Sequence, residues 1–313
     1  MRIGVVFPGQ GSQHVGMGGA LVERYPAAAA LFARAKRVLG YDLLRIVRDG
    51  PDEKLRQTQF SQPAIYVVNY ALATAAGDAF GVVVSAGHSF AEFCSLTLAG
   101  ALTFEVALGL VRERSLAMQQ AADASPGAMA AVLGLEPERL RGAVAEARAA
   151  GRVALANFNA PGQIVISGDR EAVAAAGALA MAAGAKRVVP LNVSGAWHSE
   201  LMAPAAEAFA PFVERATIVT PRFEVISNVD ARPYRDVASI RKNLVRSVTD
   251  EVLWHATSER LVAEKPDLVI EFGGSAVLAP LFKRLAGAPK ATHVGDEKGL
   301  AMLREQLASP ATA

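Results

Sequence analysis

Ser89 stands in Gly87-His88-Ser89, directly after the apolar run Val82-Val83-Val84 and directly before a helical segment from Ala91. A strand that turns sharply into a helix at a serine is the setting of a nucleophile elbow. Small neighbours let the backbone close, the hydroxyl stands over the sheet edge, and the helix amino end adds partial positive charge. The full elbow reads Gly-x-Ser-x-Gly; here the last position is Ala91, the smallest replacement for glycine. A serine hydroxyl is a poor nucleophile at neutral pH and needs a base within hydrogen-bond reach. Histidine suits that task, because a pKa of about 6.5 lets it take the proton and return it to a leaving group. His14, His88, His198, His255 and His293 are the five available. His88 adjoins Ser89, but neighbours on a tight turn point apart. Spacing alone leaves the choice open.

The elements that must position these groups follow an α/β pattern. A short apolar strand at 3–7 runs into the turn-rich Pro8-Gly9-Gln10-Gly11-Ser12-Gln13. Apolar residues recur at helical spacing through 20–39, 63–76 and 104–121, and 82–84 reads as a buried parallel strand. Strands alternating with helices predict a mainly parallel sheet of α/β-hydrolase-like character. The texture changes at Pro126-Gly127. From there strand 128–133, helix 137–149, strands 153–157 and 163–167, helix 170–183 and strand 187–191 follow in a β-α-β-β-α-β order, which is ferredoxin-like. The expected organisation is a large domain from 1–126 and 193–313 with a small subdomain, 127–192, inserted into it. The tail 307–313 is expected to be frayed.

Bulk properties narrow the function classes. A chain of 313 residues that is 52% hydrophobic has enough apolar material for a large core, and only 6% is aromatic, so Ala, Val and Leu must fill it. A formal charge of +2 from 32 basic and 30 acidic residues is too balanced for a nucleic-acid binder. The lone cysteine, Cys94, excludes an internal disulfide framework and a multi-cysteine metal site. The apolar run at 3–7 is too short for a signal-peptide core, and no unbroken apolar stretch of about 18 residues is present. A cytoplasmic protein with no membrane and no nucleic-acid partner is expected.

Two segments together carry a specific resemblance. Phe-Pro-Gly-Gln-Gly-Ser-Gln at 7–13, followed by Gly87-His88-Ser89-Phe90-Ala91-Glu92-Phe93, resembles the malonyl-CoA:acyl-carrier-protein transacylase family of fatty acid and polyketide synthesis. Gln62-Pro63-Ala64, Arg114 with Met118-Gln119, the run Asn157 to Gln163, Val193 to Ser199, Ser227-Asn228-Val229, and Glu271-Phe272-Gly273 with Lys283-Arg284 extend it, in order, along essentially the whole chain.

The resemblance implies roles. Ser89 is the nucleophile and His198 its base, with the imidazole oriented by a backbone carbonyl that aligns to Ser247. The N–H groups of Gln10 and Phe90 form the oxyanion hole, where glycines 9 and 11 permit close backbone approach. Arg114 grips the free carboxylate of malonyl, which guanidinium geometry fits by two parallel hydrogen bonds. Gln62 and Asn159 line the acyl site or hold Arg114 and the catalytic loop, and Trp197 flanks the base at the acyl pocket. Lys186, Arg187, Lys283 and Arg284 are candidates for attracting CoA phosphates or an acidic carrier. The implied reaction takes malonyl-CoA as substrate and the phosphopantetheine thiol of an acyl carrier protein as acceptor, without a bound cofactor or metal. Phe90, Ala91 and Trp197 depart from commoner forms of the motifs. They keep open a freestanding polyketide-pathway acyltransferase for another extender or a carrier-bound acyl group. An acyl-thioester hydrolase would use the same serine and histidine, and a silent carrier-binding module would need neither.

Overall fold

The computed structural model describes residues 1–77 and 81–308. Its strands are β1 (Arg2–Phe7), β2 (Gly81–Gly87), β3 (Ala128–Leu133), β4 (Val153–Ala160), β5 (Gln163–Gly168), β6 (Arg187–Pro190), β7 (Glu224–Ile226), β8 (Leu268–Phe272) and β9 (Lys290–Val294). They form two sheets. One is parallel, in the order β7-β2-β1-β8-β9, and the other antiparallel, in the order β4-β5-β3-β6.

The parallel sheet is covered on both faces, which is why β8 is buried along its whole length. In β1, Ile3, Val5, Val6 and Phe7 have no exposed surface. Burying each such side chain contributes about 1.5–3 kcal/mol, so the strand is anchored up to its last residue. Phe7 lies opposite Gly87 of β2, so the turns that leave the two strands start side by side. Functional groups at the carboxyl ends of adjacent parallel strands are where such sheets place their sites.

The antiparallel sheet has the ferredoxin-like order, with helices Pro137–Ala147 and Arg170–Ala182 as its two connections. Strand alternation divides its two faces. Ala130, Val132, Leu155, Ile164 and Ile166 join a separate hydrophobic cluster under the helices, whereas Met129, Ala156 and Val165 pack into the main core. One face therefore packs under its own two helices and the other against the main core.

Two boundaries differ from the periodicity. The 20–39 pattern is two helices, Gly19–Arg24 and Pro26–Leu39, because the residue before a proline is driven out of the α region and Tyr25 is extended at φ −120°. The segment after Ser89 begins as a short 3-10 turn, Ser89–Ala91, before helix Glu92–Leu98. At the carboxyl end, helix Glu297–Ala308 covers the start of the expected frayed tail, and 309–313 lie outside the described residues. Among the described residues no helix is long and apolar enough to cross a membrane.

Candidate active site

The turn at Ser89 is sterically forced. A Cβ on Gly87 would lie 2.1 Å from the carbonyl carbon and oxygen of Ala91, so only glycine lets the chain fold back there. Ser89 itself has φ 54°, a left-handed conformation that costs a non-glycine residue about 1–3 kcal/mol and must be held by its surroundings. Asn228 holds it: its Oδ1 accepts from the Ser89 N–H at 3.1 Å. Asn228 is in turn fixed by Glu92, whose Oε2 accepts from both the Asn228 backbone N–H and its side-chain amide, while the Tyr234 hydroxyl donates to the other oxygen. Glu92, Asn228 and Tyr234 thus brace the elbow from beneath. The Ser227-Asn228-Val229 match was visible in sequence; its tie to Glu92 was not, because these residues meet only when β2 and β7 pair.

Glu92 is 1% exposed, and burial pushes its carboxyl up from 4.5 to about 7, against the three donors that favour the anion. A folded-state pKa above the unfolded value gives stability that is full below about pH 4.5 and is lost as pH rises through about 7. Glu92→Gln keeps an acceptor for Asn228 and removes the charge. The melting temperature of the variant should therefore fall less than that of the unmodified protein between pH 5 and 8. A parallel fall in both proteins would contradict the assignment.

The base is His198. Its Nε2 lies 2.8 Å from Ser89 Oγ, and its Nδ1 lies 3.0 Å from the carbonyl oxygen of Asp250. A carbonyl can only accept, so Nδ1 carries the proton and Nε2 is free to accept from the serine. The orienting carbonyl is therefore that of Asp250. Ser247, expected in this role, instead offers its carbonyl to Arg114 Nη2 at 3.2 Å. The two lie three residues apart on one turn, where alignment cannot tell which carbonyl faces the ring. Burial first, and then the charges of Arg114 and His88, lower the His198 pKa from 6.5 to about 3, so the ring is neutral at ordinary pH.

Arg114 has no exposed surface. Nη1 donates to Gln62 Oε1 at 2.9 Å, Nη2 to Ser247, and Nε has no partner among the described residues. Burial brings its pKa down to about 9, with Glu92 acting in the opposite sense, so the guanidinium stays charged at neutral pH. Among the described residues no carboxylate meets it, which is costly for a buried cation unless a ligand supplies one.

A cavity of about 330 Å³ opens over Ser89 and His198. Gln10, Gln62 and Trp197 line it, as do Met118, Met129, Asn157 and the segment 191–193. Arg114 is not in that lining but adjoins it through Gln62. Asn159 is not in the lining either; its Oδ1 lies 2.9 Å from His88 Nε2, so it steadies the elbow. The Pro8-Gly9-Gln10 loop is pinned to the same place. Asn69 Nδ2 donates to the Pro8 carbonyl at 3.0 Å, Ser12 Oγ to that of Gly9 at 2.8 Å, and a Cβ on Gly9 would sit 2.7 Å from the His88 oxygen. Cys94 is buried, and burial pushes its thiol pKa up, which leaves it unreactive.

The acyl transferase domain family matches residues 5–300 of the chain. The malonyl CoA-acyl carrier protein transacylase of Haemophilus influenzae is 40% identical over 309 residues, 98% of this chain and 99% of its own. The chain belongs to the malonyl-CoA:acyl-carrier-protein transacylase family. Among solved members, an acyl carrier protein S-malonyltransferase from Vibrio cholerae superposes with a TM-score of 0.91 at 40% identity, covering 96% of this chain and 99% of that one. A malonyl-transacylase solved with its type II polyketide-synthase acyl-carrier protein superposes with a TM-score of 0.94 at 37% identity, covering 98% and 100%.

Proposed function

We propose that the chain moves malonyl from CoA to the phosphopantetheine thiol of an acyl carrier protein through an acyl-Ser89 intermediate. The observation that carries this reading is the 2.8 Å contact of Ser89 Oγ with a neutral, carbonyl-oriented His198, beside a buried arginine that meets no carboxylate among the described residues. His198 Nε2 takes the Ser89 proton as Oγ attacks the thioester carbonyl. The resulting oxyanion is received by the N–H groups of Gln10 and Phe90. Since the Ser89 N–H is committed to Asn228, Phe90 is the donor this turn has to offer, at the amino end of a helical segment. Collapse breaks the C–S bond, and His198 returns the proton to the CoA sulfur. The carrier thiol then gives its proton to the same nitrogen and attacks the acyl-serine; the C–Oγ bond breaks, Ser89 Oγ takes the proton back from His198, and the carrier leaves with the malonyl group.

Arg114, steadied by Gln62, holds the malonyl carboxylate, and Trp197 walls the acyl pocket. The chemistry is completed by these side chains with no bound cofactor or metal, in the cytoplasm, and residues 127–192 form the small subdomain that roofs the site. The reading is tested by incubating the protein with malonyl-CoA, mapping the modification on peptides, and adding a phosphopantetheinylated carrier. Malonyl on the peptide containing Ser89, discharged onto the carrier, is expected. Modification elsewhere, or release of free malonate with no carrier charged, would overturn it.

A further inference from the structure

The carbonyls that engage Arg114 and His198 come from one turn. Helix Val237–Arg246 ends at Ser247, and Ser247 O accepts from Arg114 Nη2 while Asp250 O accepts from His198 Nδ1. The turn is closed by backbone bonds from Thr249 and Asp250 to the Arg246 carbonyl at 3.1 and 2.8 Å. Its side chains form a staple. Arg246 Nε and Nη2 both reach Asp250 Oδ2, at 2.8 and 2.7 Å, and Thr249 Oγ1 donates to Asp250 Oδ1 at 3.0 Å. Beyond the turn, Val252 is tied to β4 by bonds with Ala156 and Phe158, so its far end does not move freely.

We infer that this stapled turn couples acyl recognition at Arg114 to the orientation of His198, with Arg246 and Thr249 as positioning residues that favour a carboxylated acyl group. The inference rests on the proposed transacylase reading. A carboxylate that engages Arg114 loads the guanidinium, and through Nη2 the load reaches the Ser247 carbonyl. A rigid turn carries Asp250 O along as one body and keeps Nδ1 bonded, so the base stays aimed at Ser89. A loosened turn lets Ser247 follow Arg114 while Asp250 O drifts from the imidazole. A neutral acyl group places no such load on Arg114, so loss of the staple falls on the carboxylated substrate. The groups that act on His198 are Arg114, His88 and the Asp250 carbonyl, and neither Arg246 nor Thr249 is one of them, so their removal reaches the imidazole only through the position of the turn.

The Arg246 and Asp250 side chains are 41% and 31% exposed, and such an exposed pair contributes about 0–1 kcal/mol to global stability, so it can be removed without unfolding the protein. The experiment measures the single-turnover rate of Ser89 acylation at saturating malonyl-CoA and saturating acetyl-CoA, with the half-saturating concentrations, for the unmodified protein, Arg246→Met, Thr249→Val and Arg246→Lys. A misplacement of the base by a fraction of an ångström lowers the limiting rate by roughly tenfold. That loss is expected with malonyl-CoA in Arg246→Met, with its half-saturation within about twofold, a smaller loss in Thr249→Val, and partial recovery in Arg246→Lys. The acetyl rate should change by less than about twofold. An equal fall for both acyl groups, or no fall for either, overturns the coupling and leaves the transacylase reading standing. Failure of the unmodified protein to take malonyl onto Ser89 overturns that reading instead, and the coupling with it.

Discussion

His198→Ala lowers the rate of Ser89 acylation by roughly 10³- to 10⁶-fold, the range over which serine enzymes lose activity when the base is removed. The residue touches the reacting hydroxyl through Nε2 and has no substitute: His88, the other imidazole at the elbow, has its Nε2 committed to Asn159. Half-saturation by malonyl-CoA should change little, because the carboxylate is held elsewhere. Since the folded-state pKa is about 3 rather than 6.5, acylation should be nearly flat from about pH 5 to 8 rather than rising with a limb near neutrality. The same shift has a stability sign. Between pH 6.5 and about 3 the unfolded chain binds a proton that the folded chain refuses, so stability falls as pH drops through that window. His198→Ala lacks this penalty and should melt at a relatively higher temperature in mild acid. A variant that retains activity within tenfold, or an acid profile identical to that of the unmodified protein, would contradict the assignment.

Arg114→Ala inverts the acyl preference. Truncating one partner of a buried, hydrogen-bonded charge pair costs about 2–5 kcal/mol, which is roughly 30- to several-thousand-fold in malonyl transfer. Acetyl transfer should hold steady or rise, because burial still depresses His198 but the Arg114 charge no longer adds to it. Arg114→Lys does not rescue the arrangement, since one ammonium cannot span the directions of Gln62 Oε1 and Ser247 O. The variants leave two buried acceptors without a donor, so melting temperatures must accompany the rates. An unchanged ratio of malonyl to acetyl acylation would remove the carboxylate role from Arg114.

What the sequence made legible follows physical range. Strands at 3–7 and 128–133 appear where the apolar runs place them, because burial on two faces or strict alternation writes itself into local pattern. The helices Ala203–Arg215 and Val237–Arg246 are not among the elements expected from the sequence, although each is amphipathic and packs its apolar side on the core. Ser89 and His198 meet across 109 residues, and only motif likeness, not spacing, could pair them. Asp250 was out of reach for a different reason. Any residue can present a carbonyl, so its identity leaves no trace in side-chain chemistry, and the choice between 247 and 250 is made by the curl of one turn. Beyond its place in the 87–93 match, Glu92 has no role legible in the sequence, because its partners lie 136 and 142 positions away.

The two faces of the antiparallel sheet separate what can vary from what cannot. The reactive groups spring from strand ends and braced turns where an added methyl collides with backbone, so the floor of the cavity tolerates little change. Its upper wall is drawn from Met129, Asn157 and the segment 191–193, side chains carried by or next to a sheet whose other face has a core of its own. That wall can be resized without disturbing either the hydroxyl or the imidazole. A lineage of such enzymes can therefore drift in the acyl groups it accepts while its chemistry stays fixed, and a designer seeking a larger extender would begin above the serine, not beside it.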